Sequence, residues 1–477
     1  MRCARKAYRA PDKEVPMPTS VDFDGRLVLP QDPDFEEAVT SRVFNHRRPD
    51  RRPDAVLLAA SERDIVEGVR LAKERGWTVA VRSGGHAWAA WSLCDGGLLI
   101  DLGDYHHLEY DPETRVASAS PSTKGGDELT PFLAQHGRFF NGGHCPTVGI
   151  GGFLLQGGQG WNQRGWGWGA ESVVAVDVVT AEGELIRCDA QQNSDLYWAA
   201  RGSGPSFPGV VTKFHLATRP IYGGLAHTVQ VFAPEDFTEV MTWMYEVTHD
   251  IPDNVEIVVV GMHVDGPDGP RSLPVFLVTG LAFGDTLEDA QRSLALFRTN
   301  PALSRALDVK DAAPSTLAEQ REAQLENNPE GHQYITENAW VDGDPAEVIE
   351  AIRPLFTELP TPKAFTIWMS NLPMRPLQDM AFSLQTGAYV ASYCVYEDPA
   401  EYPANRAWID ACFMGAQPVT AGQYLGDSDF THRQLKFMAD ENFAKLQAII
   451  TARDPEGRFQ RYLASDPANL NRNHWEI

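Results

Sequence analysis

Eleven of the chain's 40 glycines fall between Gly142 and Gly169. The stretch reads Gly-Gly-His-Cys-Pro-Thr-Val-Gly-Ile-Gly-Gly-Phe-Leu-Leu-Gln-Gly-Gly-Gln-Gly-Trp-Asn-Gln-Arg-Gly-Trp-Gly-Trp-Gly. Glycine this dense works against helix and central strand alike, so a loop is expected throughout. Flexible linkers are polar and serine-rich. This segment instead interleaves Trp161, Trp166, Trp168, Phe153, Leu154 and Leu155. Glycine lets backbone N–H groups come close to a ligand and supplies the positive φ of anion-binding nests. The expectation is a covered cradle for a pyrophosphate. No G-x-G-x-x-G follows the first strand, so a Rossmann dinucleotide site is not indicated.

The cradle sits inside an α/β pattern. Asp54-Ala-Val-Leu-Leu-Ala reads as a strand, Ser61 to Gly76 as a helix and Thr78-Val-Ala-Val-Arg82 as a second strand. Ser61 and Asp64 have capping-box spacing, and Gly76 suits the residue that closes a helix. Further strands are expected at 97–101, 116–119, 173–179 and 184–187, with a short helix near 131–137. Residues 50–220 therefore read as one α/β domain, with 1–49 as an arm lying over it.

From Ala226 the texture changes to hairpins and helices. Strands are expected at 227–232, 255–264, 273–281 and 388–396, and helices at 235–247, 287–297, 346–356 and 402–414. Helices segregated to one face of an antiparallel sheet make a second domain over 221–425, and the fold class α+β. Residues 426–477 read as a C-terminal segment returning to the first domain, with a helix from about Gln434 to Ala452.

Lys and Arg number 41 against 65 Asp and Glu, a formal charge of −24. So acidic a surface repels phosphate backbones and anionic lipid, so neither nucleic-acid nor membrane binding is expected. Six cysteines at 3, 94, 145, 188, 394 and 412 form no C-x-x-C pair, and no metal site is expected. No apolar leader and no Asn-x-Ser/Thr acceptor is visible in the sequence, and a cytoplasmic setting is the simplest expectation.

Two more glycine-bearing segments flank the cradle: Val81-Arg-Ser-Gly-Gly-His86, and Arg201-Gly-Ser-Gly-Pro leading to Gly209-Val-Val-Thr212. Together with Cys145-Pro-Thr-Val-Gly-Ile-Gly-Gly152, Gly422-Gln-Tyr-Leu425 and Arg453-Asp-Pro-Glu-Gly-Arg-Phe459, they resemble the vanillyl-alcohol oxidase/p-cresol methylhydroxylase superfamily. Within it the sequence is most similar to the berberine bridge enzyme-like FAD oxidases. The resemblance is strong over about 50–220 and moderate over 420–460.

It implies a two-domain flavin oxidase with FAD on Arg82, Ser83, Gly84, Gly85, Val148, Gly149, Gly151, Gly152, Gly157, Gly158, Gly209, Val210 and Val211. It implies a bond from His86 to the flavin 8α-methyl and, in bicovalent members, from Cys145 to flavin C6. An imidazole and a thiolate are both able to add to an electron-poor ring; the bland alternative for Cys145 is an inert buried thiol. Tyr424 is the implied base, although a free Tyr titrates near ~10 and needs a charge-stabilising neighbour for that role. Val148 stands where a small residue admits dioxygen, and is equally explained as a packing residue. The sequence departs from the pattern at Gly426 (usually Asn), Phe153 (often His), Gln156, Gln159 and Glu171-Ser172, and the loop Pro205–Pro208 is longer by one residue.

Trp88, Trp91, Trp161, Trp166 and Trp168 crowd these segments and suit substrate contact or an interface seal. Trp368, Tyr389 and Tyr393 belong to strands of the second domain, and Tyr389 and Tyr393 share a sheet face that could roof the flavin. The expected function is oxidation of a small molecule, an alcohol or secondary-metabolite hydroxyl, with dioxygen reduced to hydrogen peroxide. Alternatives are a flavin dehydrogenase with another acceptor, a carbohydrate oxidase and a non-catalytic flavin carrier. A monomer or small homo-oligomer is expected.

Overall fold

A computed structural model describes residues 22–267, 269–464 and 470–473. Three sheets of four strands or more carry the architecture. The first is four-stranded, in the order Arg26–Val28, Ala55–Leu58, Leu98–Asp101, Val79–Arg82, parallel except at its first pair. Helix Glu62–Arg75 makes the crossover. The Ser61 side chain accepts from the Asp64 N–H at its start, and Gly76 ends it at φ 66°. The Asp64 carboxylate accepts from the N–H groups of Asp24, Gly25 and Ala60, pinning the N-terminal stretch to the helix. That stretch is more than an overlay. It supplies an edge strand and the helix Phe35–Thr40, and buries Val28, Phe35, Val39 and Val43.

The second sheet is five-stranded and antiparallel, in the order Leu108–Asp111, Val116–Ala119, Val210–Ala217, Val173–Val179, Leu185–Asp189. The third has eight antiparallel strands: Asp308–Pro314, Gly224–Phe232, Gly269–Gly284, Val255–Gly266, Phe365–Ser370, Ala388–Tyr396, Gln333–Val341 and Thr420–Gly422. Helices Phe237–Val247, Pro345–Thr357 and Tyr402–Gly415 cover one face of it. Alternation divides its residues between two faces. Ile257, Val259 and Val278 are buried among Phe237, Met241, Ile352 and Phe356, while Val258, Val260, Met262 and Leu277 line a cavity on the other side.

The strands 308–314 and 333–341 and the helix Leu317–Asn327 were not anticipated. The last helix starts at Asp440 rather than near Gln434. The preceding backbone is engaged elsewhere: the Lys436 carbonyl accepts from Gln423, and the N–H groups of Phe437 and Met438 donate to the Asn471 side chain. The C-terminal chain then runs parallel along the free edge of Val79–Arg82, with the Val79 N–H donating to the Arg458 carbonyl and the Gln460 N–H to the Val79 carbonyl. Among the described residues no helix is long and apolar enough to cross a membrane.

Candidate active site

A cavity of about 530 Å³ lies between the glycine loops and the open face of the eight-stranded sheet. Its floor is made where two backbones touch. A Cβ on Gly84 would stand 2.7 Å from the Gly149 nitrogen, and one on Gly149 would stand 3.1 Å from Gly84 Cα. Only glycine at both positions lets residues 83–86 and 145–152 cross this closely. At Gly85, at φ 75°, the fit is tighter still: a Cβ would stand 1.7 Å from the Arg42 carbonyl oxygen.

The floor is not all loop. Ile150–Leu155 is a short helix in spite of two internal glycines. Packing overrides propensity here: Ile150 and Leu154 are buried, and a Cβ on Gly151 would meet Pro121 Cβ at 2.7 Å and Ser83 Oγ at 2.9 Å. Phe153, in place of a polar residue, puts its ring where Cβ atoms on Gly143, Gly158 and Gly169 would fall. Part of the glycine content is thus a slot for one aromatic side chain.

The crossing brings two nucleophilic side chains together. Thr147 Oγ1 lies 3.1 Å from His86 Nε2 and 3.5 Å from Cys145 Sγ. The His86 ring stacks on Phe44 at 4.5 Å. Burial, with help from Lys124, pulls His86 down to about 4, so its ring is neutral at pH 7 and keeps a lone pair. Burial pushes the Cys145 thiol up, opposed by its contacts with the Thr147 hydroxyl and N–H.

Tyr424 is buried, and its hydroxyl oxygen accepts from two successive backbone N–H groups, Gly158 and Gln159, each at 3.2 Å. With both lone pairs taken, the phenolic proton is left for another partner. Burial raises its pKa above the ordinary tyrosine value, and the two N–H groups pull against that rise. Its backbone is clamped from the sheet, where Asn338 Oδ1 accepts from Tyr424 N at 2.7 Å and Asn338 Nδ2 donates to Tyr424 O at 2.9 Å. A side chain at Gly426 would run into the Tyr424 ring, which accounts for glycine where the resemblance leads one to expect Asn.

Opposite the floor lie carboxylates that sequence reading missed. Asp427 accepts from Trp88 Nε1 at 2.9 Å and from the Tyr389 hydroxyl at 2.7 Å. Burial, then this carboxylate, holds Tyr389 and Tyr393 well above the usual tyrosine range. Glu256, on Val255–Gly266, lies 3.0 Å from His144 Nε2 and accepts from the Asn162 N–H at 2.7 Å. Both carboxylates line the cavity, as do the aliphatic side chains of Val229, Val258, Val260, Leu277, Leu281 and Ile367. Neither Asp427 nor Glu256 belongs to a local motif; strand pairing and chain return deliver them.

Residues 53–189 match the family described as FAD binding domain. The chain is 36% identical over 440 residues to the FAD-linked oxidoreductase nodO of Hypoxylon pulicicidum, covering 92% of this chain and 96% of that one. The chain belongs to the FAD-linked oxidoreductases. Its fold is that of 6-hydroxy-D-nicotine oxidase from Arthrobacter nicotinovorans (TM-score 0.80, 23% identity, 95% of this chain and 100% of that one). Berberine bridge enzyme from Eschscholzia californica is also similar (TM-score 0.78, 18% identity, 92% and 96%). The two-part α+β architecture anticipated from sequence is the one found.

As an FAD-linked oxidoreductase the protein needs a floor that accepts a long, flat dinucleotide, and the cavity fits one. Its wall runs from Val79, Phe459 and Gln460 past Gly84, His86, Cys145 and Gly149 to Tyr424. Trp91 also lines it, with an indole N–H that has no partner among the described residues. Of the other residues anticipated for FAD, Ser83, Gly85, Val148, Gly151, Gly152, Gly209 and Val211 line this cavity.

Four anticipated residues contribute differently. The Arg82 guanidinium is turned to Asp101 and to the carbonyls of Ala38 and Val39, so that only the rest of the residue borders the cavity. Gly157 packs beneath Phe382. Gly158 acts through its N–H on Tyr424. Val210 alternates with the cavity-lining Val211 and is buried in the core beneath the first sheet. Among the aromatics, Trp88, Trp91 and Trp161 border the cavity, while Trp166 packs on Phe139 and Phe283 and Trp168 on Trp340 and Phe382. Trp368 belongs to the helix-covered face, the opposite side from Tyr389 and Tyr393.

Proposed function

We propose that this FAD-linked oxidoreductase is an oxidase of a small, largely apolar alcohol or hydroxylated secondary metabolite, with its flavin tethered at both His86 and Cys145. Bound on the glycine floor, the flavin supplies a hydride acceptor at N5 that dioxygen restores, giving hydrogen peroxide. The observation that carries the reading is the pair of backbone N–H groups on the Tyr424 oxygen. Preorganised donors of this kind stabilise a developing oxyanion. Tyr424 as a phenolate receives the substrate hydroxyl proton and keeps both hydrogen bonds.

His86 and Cys145 hold the cofactor. The flavin 8α-methyl and C6 belong to the same ring, so two tethers have to meet at one edge of it, and the shared contact with Thr147 meets that demand. The aliphatic roof favours an apolar substrate over a sugar, whose hydroxyls would lie unpaired against Val258, Val260 and Leu277. Val148 at the cavity wall fits access for dioxygen. The free cysteines at 94, 188, 394 and 412 fit a cytoplasmic setting.

A panel of apolar alcohols, sugars and amines assayed for peroxide identifies the substrate and separates an oxidase from a dehydrogenase, which reduces dyes without releasing peroxide. With that substrate, Tyr424→Phe should slow anaerobic flavin reduction by about 10²–10⁴-fold and leave reoxidation unchanged. Because Tyr424 titrates above the ordinary range and acts deprotonated, wild-type reduction should accelerate with pH from 6 to 10. A pH-independent rate, or a loss of only a few-fold in Tyr424→Phe, removes Tyr424 as the base.

A further inference from the structure

Thr147 lies between the two anchoring side chains yet is not itself part of the cavity wall. Its hydroxyl therefore serves its neighbours rather than the bound molecule. A hydroxyl has one proton to donate and two lone pairs to accept with. Facing a thiol at 3.5 Å and a neutral imidazole nitrogen at 3.1 Å, it can accept from the sulfur and donate to the nitrogen at once.

We infer that Thr147 is a positioning residue that carries the Cys145 thiol proton to His86 Nε2 and so makes the second flavin tether possible. The inference rests on the reading that Cys145 is a tether. A thiol adds to a ring carbon only as thiolate, and its proton needs an acceptor within reach. With Nε2 taken by Thr147, Nδ1 is the nitrogen left for the His86 tether, and an imidazole bonded through Nδ1 keeps the Nε2 lone pair the relay requires. When the Cys145 Sγ–C6 bond forms, the S–H and C6–H bonds break. The sulfur proton leaves through Thr147, the C6 proton goes to solvent, and the electron pair passes to dioxygen, which departs as hydrogen peroxide.

Trypsin separates the anchors into residues 83–115 and 139–164, so mass mapping of the denatured holoenzyme reads each tether independently of turnover. Wild type should give one cross-linked flavopeptide. Thr147→Val, and Thr147→Ala if the valine variant does not fold, should retain flavin on 83–115. Either variant should form the Cys145 link about 10²-fold more slowly during aerobic incubation at pH 7. Thr147→Ser should restore the link, and raising the pH to 9 should recover it in the valine or alanine variant, since hydroxide replaces the relay. A purely structural threonine predicts neither rescue. Attachment to 139–164 at the wild-type rate in Thr147→Val or Thr147→Ala overturns the inference. Absence of flavin from 139–164 in wild type instead overturns the tether reading, and the inference with it.

Discussion

The floor and the roof of the cavity are built by different means. The floor is backbone: Gly84 against Gly149, Gly85 against Arg42, and two N–H groups on Tyr424. The roof is side chain: Val258, Val260, Leu277, Ile367 and Tyr393 from adjacent strands, with Asp427 returning beside them. A backbone surface tolerates almost no substitution but is indifferent to what is oxidised above it. A side-chain surface can be rewritten residue by residue without disturbing the crossing beneath. This division lets a shared cofactor floor serve different substrates, and it makes the two halves respond differently to mutation.

The largest effect is expected where backbone meets backbone. Gly84→Ala has to displace the Gly149 chain, and overpacking of this kind costs about 1–3 kcal/mol. The purified variant should be colourless or poorly folded, whereas Val260→Ala on the roof should stay yellow. Equal flavin content in the two variants would show that floor and roof respond alike. At the seam between the halves, Gly426→Ala should keep its flavin yet move the Tyr424 ring, lowering the rate of flavin reduction by about 10²-fold. A wild-type rate there means that the ring relaxes freely and that Gly426 does not set its position.

The smallest effect is on stability and tests the roof alone. Burial, followed by Lys310, pulls His227 down to about 4, so the unfolded chain takes up a proton that the folded chain refuses between pH 6.5 and 4. Stability is therefore lost as pH falls through that window, by about 2 kcal/mol at pH 5 from this residue. His227→Gln should lose less of its melting temperature than wild type between pH 7 and pH 5. Parallel losses would show that His227 does not titrate this way.

The same division explains what could be read in the sequence. A backbone floor needs glycine at fixed places beside His86 and Cys145, and that leaves a local signature: Arg82-Ser-Gly-Gly-His86 and Cys145-Pro-Thr-Val-Gly149. Strand 388–396 was legible because its apolar run is broken only by Ser392. Strand Gln333–Val341 was not, because it carries Glu337 and Asn338 in its interior. Both are buried, with Glu337 paired to Arg406 and Arg433 from distant segments and Asn338 clamping Tyr424. The helix Ile150–Leu155 was hidden by its glycines, whose cost is met by packing on Ser83 and Pro121. Asp427 and Glu256 had no local pattern at all, since their meaning comes from Trp88, Tyr389 and His144 far away in the chain.

The glycine crossing is expected to bring His86 and Cys145 to one edge of one flavin. Acid precipitation of the wild-type enzyme followed by tryptic mass mapping tests it most directly. A yellow pellet is expected, with a single flavopeptide joining residues 83–115 to 139–164 that Cys145→Ala resolves into flavin on 83–115 alone. Yellow colour left wholly in the supernatant, or flavin on any other peptide, contradicts it.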